Sequence, residues 1–439
     1  MRVDREAADL TAAEIVVKEA QRRAAREKRQ NASASQLNLN LPRAWRRRLE
    51  LIEKVGQGGG GEVFKAAVVC DSSMESDFVA VKYIQADSAA HPVNSTAEVE
   101  NMRRMSWSPY VVSTVGKPDF IEDDAGEWAM IMMPFFSGGS FSDLMMQCAE
   151  DKSCSCNPAN RQTGGKHQCW EALGGSLSLP FVLALFHQAV QGLEDIHSTG
   201  LVHMDVKPDN IMLRCKNEKC LAAMADLDIA CEMGSCTPRG TPAFVAPEVW
   251  EGKELGQPAN DVFSMGVTLY MLLYGSKPPW MHAWFGMGFS SEDHKEILSY
   301  DYTKDEVLPK PLTDLDSLVV SMMSGDPEKR PSTGEILPRL SSSIMALDPS
   351  QEVKMMIGLE TPEMRGLEFQ YPVCLVDWKK PASMEEGCAS VAWNYDGLFG
   401  MRKCGVCVPP FCKKCCFCMK LIGTGTQLEE HYFRASKCA

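Results

Sequence analysis

Three glycines in the segment EKVGQGGGGEVFKA are spaced for chemistry on phosphate groups. They follow the pattern Gly56-x-Gly58-x-x-Gly61-x-Val63 and are flanked by strand-forming residues. Glycine has no Cβ, so the backbone N–H groups at these positions can approach phosphate oxygens closely. A glycine run alone is also typical of a flexible hairpin, and the interpretation therefore depends on the motifs that follow.

A lysine and a glutamate further along the chain are suited to the same chemistry. Lys82 lies in VAVK, a predicted strand, where its ammonium group can meet the α- and β-phosphates of a nucleotide. Glu98 lies in the predicted helix TAEVENMRRM, with methionines four and seven residues later to pack the other face. Glu100 is the alternative, but the residue four positions after it is an arginine, so Glu98 is favoured.

Three more motifs follow in order: HMDVKPDN at residues 203–210, MADLDIA with Asp226, and GTPAFVAPE at residues 240–248. Together with the glycine segment, the lysine and the glutamate, they resemble the ordered motifs of the eukaryotic protein kinases over roughly residues 50–345. The resemblance implies an α+β, bilobal protein-kinase fold. Its small N-lobe would be rich in β-strands, and its larger C-lobe would be helical.

The resemblance also implies a role for each polar residue. Phosphoryl transfer requires positioning and charge neutralisation more than covalent help. Asp205 would accept the proton of the substrate hydroxyl, and Lys207 would neutralise the transferred γ-phosphate of ATP. Asn210 and Asp226 would supply the hard oxygen ligands that Mg²⁺ prefers. The earlier lysine and glutamate would form an ion pair that fixes the α- and β-phosphates.

The class of substrate is implied by the residues around the predicted proton acceptor. Lys207 followed by Pro208 is similar to the serine/threonine kinases rather than the tyrosine kinases. Thr241 of the Gly-Thr-Pro step agrees, since it would hydrogen-bond Asp205 and Lys207. The sequence therefore predicts a Mg-ATP-dependent serine/threonine protein kinase that acts on protein substrates.

The same likeness assigns residues to adenine binding. Met133 would lie at the back of the adenine pocket, and Phe136 would offer hinge backbone groups to the base. Ala80 and Val63 would cover the ring. Pro134 departs from the pattern, because an acidic residue is common at that hinge position.

Two further matches imply structural roles. Glu248 should pair with Arg330 of DPEKRPS, and Asp261 should anchor the backbone of the loop that carries the predicted proton acceptor.

Two departures from the family pattern bear on regulation. Met204 precedes Asp205 where many kinases carry an arginine that pairs with a phosphorylated activation segment, and a thioether cannot form that pair. Activity is therefore predicted not to depend on phosphorylation of Ser235 or Thr237. The triplet at residues 226–228 is Asp-Leu-Asp instead of Asp-Phe-Gly, which predicts a restricted inactive flip or an impaired enzyme. A pseudokinase scaffold is the alternative function.

The C-terminal tail has the spacing of zinc ligands. A segment similar to a Cys2His2 zinc finger, with cysteine as its last ligand, comprises Cys415, Cys418, His431 and Cys438. A second zinc site would use Cys404, Cys407, Cys412 and Cys416, and a further Cys3His site would use Cys154, Cys156, His167 and Cys169. Reduced thiols without metal are the alternative. Such a tail would bind a protein or nucleic-acid partner, with neither favoured.

Charge and hydropathy limit the function classes. The formal net charge is −13, which argues against a nucleic-acid-binding surface along the whole chain. No stretch approaches the ~20 apolar residues of a membrane span. The charged start lacks the apolar core of a secretion signal, so we expect an intracellular protein, cytoplasmic or nuclear. In such a chain, clustered cysteines favour metal ligands over disulfides.

The elements that must position these residues follow from the order of the patterns. Strand-like runs come first and helical runs later, which is typical of an α+β arrangement. We expect a basic helical or disordered arm and linker at 1–49 and a kinase domain at 50–345 with an insertion at about 147–178. A linker or extension at 346–401 and a Cys-rich zinc-binding module at 402–439 would follow.

Overall fold

The computed structural model describes the central part of the chain. The described residues are 41, 43–46, 48–58, 61–69, 78–85, 95–115, 118–123, 126–150, 178–216, 219–253, 255–274, 278, 300, 305, 308, 311–358, 369–372 and 390–393. The predicted zinc ligands from Cys404 to Cys438 and from Cys154 to Cys169 lie outside these residues, as does the predicted helix of the N-terminal arm.

The described residues divide into two compact units. The first holds those up to Val99, Thr114–Phe135 and Phe369–Val391, and the second holds Glu100–Ser113, Phe136–Glu368 and those from Ala392 onward. The first unit contains the main sheet and the second contains most of the helices. The predicted α+β fold class is thereby confirmed.

A five-stranded antiparallel sheet forms the first unit, with strand order β1-β2-β3-β5-β4. Its strands are β1 (Leu49–Gly58), β2 (Gly61–Val68), β3 (Val79–Gln85), β4 (Asp119–Asp123) and β5 (Gly126–Pro134). Helix α2 (Ser95–Arg104) follows β3. Along β2 buried and half-buried residues alternate, because successive side chains of a strand point to opposite faces.

The end of the predicted N-terminal linker differs from the expectation. A short helix, α1 (Arg43–Arg46), precedes β1, and the side chains of Leu41 and Trp45 are each 2% exposed. The indole N–H of Trp45 donates to Asp119 Oδ2. A large aromatic ring with a satisfied N–H is stable in a core, so this stretch is part of the first unit.

Helices and short hairpins make up the second unit. Its helices are α3 (Phe141–Glu150), α4 (Leu179–Ser198), α5 (Pro247–Trp250), α6 (Pro258–Tyr274), α7 (Asp314–Met322), α8 (Thr333–Leu347) and α9 (Gln351–Met356). Its strands are β6 (Leu201–Val202), β7 (Ile211–Lys216), β8 (Lys219–Met224) and β9 (Cys231–Glu232). Two more strands, β10 (Phe369–Pro372) and β11 (Ser390–Trp393), pair with each other, and β10 belongs to the first unit. One-turn 3-10 helices lie at Pro208–Asn210, Pro242–Phe244 and Pro327–Lys329.

Helices α4 and α6 form the core of the second unit because they are apolar on nearly every face. Helix α4 begins after Ser178, whose hydroxyl accepts from Phe181 N, and Pro180 occupies its first turn. Helix α7 begins at a capping box in which Thr313 and Asp316 exchange hydrogen bonds.

Helices of the second unit extend past two limits predicted from the sequence, namely the start of the insertion at about residue 147 and the end of the domain at residue 345. Helix α3 continues to Glu150, four residues into the stretch predicted as an insertion loop. Helix α9 lies in the predicted linker, and Val353 and Ile357 are 3% and 6% exposed. Gln188 of α4 donates to Met356 O at 3.0 Å. Burial of apolar side chains therefore packs this segment against the helices of the second unit.

Four cysteines correct the expectation that cysteine in this chain serves metal rather than disulfides. Cys215 is bridged to Cys220 across the β7–β8 hairpin, and Cys231 is bridged to Cys236. Each pair is close because the backbone brings it together: the Cα atoms are 4.1 Å and 5.5 Å apart.

The helices of the described ranges include no segment long and apolar enough to cross a membrane.

Candidate active site

The register of the first sheet brings the predicted nucleotide-binding residues onto one face. Val63 is opposite Gly56 of β1 and opposite Lys82 of β3. Ala80, two residues from the lysine, is opposite Met133 of β5. Residues directly opposite each other in an antiparallel pair, and residues two apart on one strand, share a face. These five predicted site residues therefore lie on one side of the sheet.

Strands β1 and β2 form an antiparallel hairpin in which Gly58 is opposite Gly61, and Gly56 lies two residues before Gly58 in β1. Gly61 has φ +120°, and a Cβ there would overlap the carbonyl oxygen of Tyr83. Only glycine fits this approach of β2 to β3. Lys54 of β1 bridges to Glu62 of β2 at 2.7 Å, which links the two strands beside the hairpin.

Lys82 and Glu98 form a buried ion pair in the first unit. Lys82 Nζ lies 2.7 Å from Glu98 Oε1, and the two side chains are 7% and 1% exposed. Glu100, the alternative partner, is half-exposed and lies 3.7 Å from Arg103 on its own helix. A lysine held by a buried carboxylate keeps its charge at a defined position, as binding of an anion requires.

The predicted proton acceptor lies in the second unit at the centre of a hydrogen-bond network. Asp205 Oδ1 accepts from Thr241 N at 2.8 Å and from Thr241 Oγ1 at 2.7 Å. Asp205 Oδ2 accepts from Lys207 Nζ at 2.6 Å and from Asn210 Nδ2 at 3.1 Å. Lys207 Nζ also donates to Thr241 Oγ1 at 2.8 Å. The structure thus brings three predicted site residues, Lys207, Asn210 and Thr241, together around the carboxylate of Asp205.

Asp261 at the start of α6 holds the loop that carries this carboxylate. It is 1% exposed, and it accepts from the backbone N–H groups of His203 and Met204, each at 2.8 Å. His197 Nε2 lies 2.9 Å from the same carboxylate. A buried carboxylate with three partners fixes the backbone just before Asp205.

The β7–β8 hairpin brings Asn210 next to the segment that contains Asp226. Ile211 and Met224 are opposite each other in the hairpin, so the residues just outside it meet. Ala225 N donates to Asn210 O at 2.8 Å. An amide and a carboxylate oxygen at adjacent positions are a donor set that fits Mg²⁺.

Backbone strain is concentrated at two residues of this site. Among the described non-glycine residues, Met204 and Asp226 have positive φ angles of 66° and 67°. Asp228, which stands at the glycine position of the family pattern, does not. Left-handed backbone costs free energy for most residues and is enriched at functional sites. The loss of the glycine is therefore compatible with this conformation.

Phe136, the residue predicted to offer hinge backbone groups to adenine, begins the stretch Phe136–Glu368 of the second unit. It is 6% exposed. Its carbonyl oxygen accepts from Gly139 N at 3.4 Å.

The predicted structural pair is present in the second unit. Arg330 donates to both carboxylate oxygens of Glu248, at 2.6 Å and 2.8 Å. Such a bidentate, buried pair fixes the end of the GTPAFVAPE segment.

A protein-family model of the protein kinase domain matches residues 49–339. The chain belongs to the protein kinase family. The chain is 32% identical over 178 residues to the probable serine/threonine-protein kinase PkwA of Thermomonospora curvata, and the match covers 39% of this chain and 22% of that protein. It is 26% identical over 360 residues to the serine/threonine-protein kinase PknD of Protochlamydia amoebophila, covering 75% of this chain and 33% of that protein.

A third relative of the chain is the putative serine/threonine-protein kinase R436 of Acanthamoeba polyphaga mimivirus. It is 28% identical over 172 residues, which cover 37% of this chain and 57% of that protein. The chain therefore spans between about a fifth and somewhat over half of the length of these relatives.

Two features of the kinase domain were not found from the sequence. Asn101 of α2 donates to Ala230 O at 3.1 Å and to Leu227 O at 3.4 Å, which holds the segment after Asp226. Its position one helical turn after Glu98 places it on the same face of α2 as that residue. Its partners, however, are backbone carbonyl oxygens, which no sequence motif identifies. The Cys231–Cys236 bridge was the second feature. Within the described ranges, no group of three or more His, Cys, Asp or Glu side chains is arranged to hold a metal ion.

Proposed function

We propose that this chain is a Mg-ATP-dependent serine/threonine protein kinase that transfers the γ-phosphate of ATP to hydroxyl groups of proteins. The observation that carries this proposal is the network in which Thr241, Lys207 and Asn210 hold the two oxygens of Asp205. Membership of the protein kinase family and the names of the relatives support the same class of reaction.

Asp205 is the proton acceptor in this mechanism. Its Oδ1 is held by Thr241 and its Oδ2 by Lys207, so the carboxylate has a defined orientation for the hydroxyl of a serine or threonine. Lys207 is positioned to neutralise negative charge that develops on the transferred group. Such positioning and charge stabilisation account for most of the catalysis of phosphoryl transfer.

Lys82 would bind the α- and β-phosphates of ATP, and Glu98 would keep the lysine in place. The glycine hairpin with Gly56, Gly58 and Gly61 would offer backbone N–H groups to the phosphates. Asn210 and Asp226 would hold Mg²⁺, which neutralises the charge of the phosphates when it is bound. The adenine base would contact the sheet face that carries Val63, Ala80 and Met133, together with the backbone of Phe136.

The test is transfer of labelled phosphate from ATP to a mixture of basic proteins in the presence of Mg²⁺. Wild type should transfer phosphate, and Asp226→Asn should lose transfer because an amide replaces a charged metal ligand. Asp314→Asn, at an exposed carboxylate in the first turn of α7, is the matched control and should behave as wild type.

Absence of transfer above the Asp226→Asn level, from protein shown to be folded, would contradict the kinase proposal. That outcome would favour the pseudokinase scaffold, for which Met204 and the Asp-Leu-Asp triplet are the supporting features. ATP binding alone does not separate the two functions, since a scaffold can bind a nucleotide.

We also propose that the C-terminal tail binds structural zinc through Cys415, Cys418, His431 and Cys438. The support is the spacing of these residues in the sequence. Thiolate and imidazole ligands around Zn²⁺ can fold a segment that is too short to be stabilised by its own core. A second ion would use Cys404, Cys407, Cys412 and Cys416. The tail would then recruit or regulate through a protein or nucleic-acid partner.

Metal analysis of the reduced full-length protein tests the zinc proposal. One equivalent of zinc supports the first site, and two equivalents support both. A value clearly below one equivalent contradicts both sites and leaves the thiols without metal.

A further inference from the structure

The segment that follows Asp226 is closed into a ring by the bridge between Cys231 and Cys236. This Cys231–Cys236 ring comprises six residues, and its first residue lies in β9, opposite Val202 of β6. Strand β6 leads directly into the loop that carries Asp205. One end of the ring is therefore paired with the strand that positions the predicted proton acceptor.

Backbone hydrogen bonds attach the ring to two glycine-containing turns of the same unit. Met233 N donates to Gly200 O at 2.9 Å, and Gly234 N donates to Gly256 O at 3.1 Å. The sulfur of Cys236 packs against Gly256 so closely that a Cβ at that position would overlap it. The absence of a side chain at Gly256 therefore leaves the space that the bridged sulfur occupies.

An ion pair attaches the ring to α2. The carboxylate of Glu232 pairs with the guanidinium of Arg104, which also donates to Thr199 O at 2.7 Å. The Glu232 side chain is 59% exposed, and exposed pairs of this kind contribute little stability by themselves. The covalent bridge is therefore the strongest constraint on the conformation of the ring.

Solvent reaches the ring, and the ring lies upstream of Thr241. Residues 232–235 and 237–239 are exposed, and both cysteines are half-buried. Small thiol reagents can therefore reach the bridge.

Five residues after Cys236, Thr241 donates to Asp205 Oδ1. The conformation of the ring thus bears on a contact to the predicted proton acceptor.

We propose that Cys231 and Cys236 are a thiol–disulfide modification site, oxidised by small-molecule disulfides, whose closed form keeps this segment in the conformation that Thr241 needs to hold Asp205. The effect on phosphate transfer rests on the kinase function proposed above, whereas the bridge itself does not.

The reaction is a pair of thiol–disulfide exchanges. The thiolate of one cysteine attacks a sulfur of the small disulfide, forms a mixed disulfide and releases one thiolate. The second cysteine then attacks the protein sulfur of the mixed disulfide and releases the other. The protein loses two electrons and the small disulfide gains them, and the two protons of the cysteine thiols pass to the two released thiolates.

Opening the bridge removes a constraint that the remaining contacts replace only in part. A bridge that closes a loop of six residues reduces the conformational entropy of the segment. Once the bridge is open, hydrogen bonds at an exposed segment contribute little in its place. We expect reduction to lower peptide phosphorylation by roughly three- to tenfold, less than the full loop-closure entropy would give.

The experiment equilibrates full-length protein in buffers of reduced and oxidised glutathione. Differential alkylation and peptide mapping measure the fraction of the Cys231–Cys236 bridge, and a parallel assay measures phosphate transfer to a peptide. Limited trypsin digestion after exposed Arg239 reports the conformation of the segment independently of activity. Wild type should show bridge formation, faster transfer and slower cleavage as the buffer becomes more oxidising.

Two double variants show which of the two described disulfide bridges causes the redox response. C231S/C236S should lose the dependence of transfer and of cleavage on the glutathione ratio. C215S/C220S, which removes the hairpin bridge of β7 and β8, is the matched control and should keep both responses.

Failure of the bridge to form, a redox response that persists in C231S/C236S, or a bridge that changes neither cleavage nor transfer would each overturn the proposal. If the bridge forms and slows cleavage while no buffer gives any transfer, the modification site is supported and the kinase function is the proposal that fails.

Discussion

At the scale of single residues, the candidate site depends on how the two oxygens of Asp205 are divided between partners. Oδ1 accepts from Thr241, while Oδ2 accepts from Lys207 and Asn210. Because each oxygen has its own donors, the carboxylate cannot rotate without losing hydrogen bonds. Its orientation is the property that a proton acceptor needs.

Replacing Thr241 tests this orientation. Thr241→Val keeps the shape of the side chain and removes the hydroxyl that contacts both Asp205 and Lys207, so we expect kcat to fall by about tenfold or more. Thr241→Ser keeps the hydroxyl and should retain most of the activity. Steady-state transfer to a peptide measures both. Equal activity of the two variants would show that the hydroxyl does not matter.

His187 is a buried residue whose ionisation should affect stability. Burial lowers the pKa of His187 to about 4, and its Nε2 lies 2.9 Å from Ser341 Oγ. The folded protein therefore binds this proton less readily than the unfolded chain, whose histidine pKa is 6.5. Stability from this group is complete above the unfolded pKa and is lost as the pH falls from 6.5 toward 4.

A variant isolates that contribution from other titrating groups. Asp195 has the opposite tendency, since burial raises its pKa to about 6. His187→Gln keeps a polar side chain without the titration. Between about pH 7.5 and 5.5 wild type should lose about 1 kcal/mol more unfolding free energy than the variant. Denaturant titrations at both pH values measure it, and identical losses would exclude His187 as the cause.

At the scale of elements, a disulfide bridge and an ion pair hold the segment from β9 to the 3-10 helix at Pro242–Phe244. Met204, beside Asp205, is 7% exposed and has no charge to offer a phosphate group. The bridge of the Cys231–Cys236 ring and the Glu232–Arg104 pair hold the segment.

Phosphorylation of this segment is therefore not expected to be required. Ser235→Ala combined with Thr237→Ala should leave phosphate transfer within about twofold of wild type, since a surface substitution of this kind rarely costs much. The labelled-ATP assay measures the rate, and thermal unfolding confirms that the variant is folded. Loss of transfer from folded double variant would contradict the prediction.

At the scale of the whole molecule, the kinase fold does not end where its motifs end. Helix α9 packs on α4, Val353 in the helix and Ile357 just after it are buried, and the Met356 carbonyl accepts from Gln188. A buried aliphatic side chain of this size contributes roughly 1.5–3 kcal/mol. The segment after α8 is thus part of the second unit.

Shortening the chain tests that extension. A chain that ends at residue 345, the limit predicted from the sequence, loses both aliphatic side chains and should be less stable by about 3 kcal/mol than one that ends at residue 368. Denaturant unfolding of the two chains measures the difference. Equal stability would show that α9 adds nothing to the core.

The sequence by itself determined which polar side chains the candidate site contains. HMDVKPDN contains Asp205, Lys207 and Asn210 within eight residues. Residues this near to each other along the chain are also near to each other in the folded protein. The family resemblance placed Ala80 in the same site as Lys82, and the two lie two residues apart on β3. The choice of Glu98 over Glu100 followed from helical periodicity, which is equally local.

Only the tertiary structure decided which distant residues meet. Trp45 and Asp119 are 74 positions apart, and no local pattern indicated that the end of a basic arm would be buried. Spacing alone did not separate cysteines that bridge from cysteines that could bind metal, because the approach of Cys231 to Cys236 depends on β6 and on the turn at Gly256. Local spacing sets what a short motif can do, whereas burial and pairing require complementary surfaces supplied by residues far away in the chain.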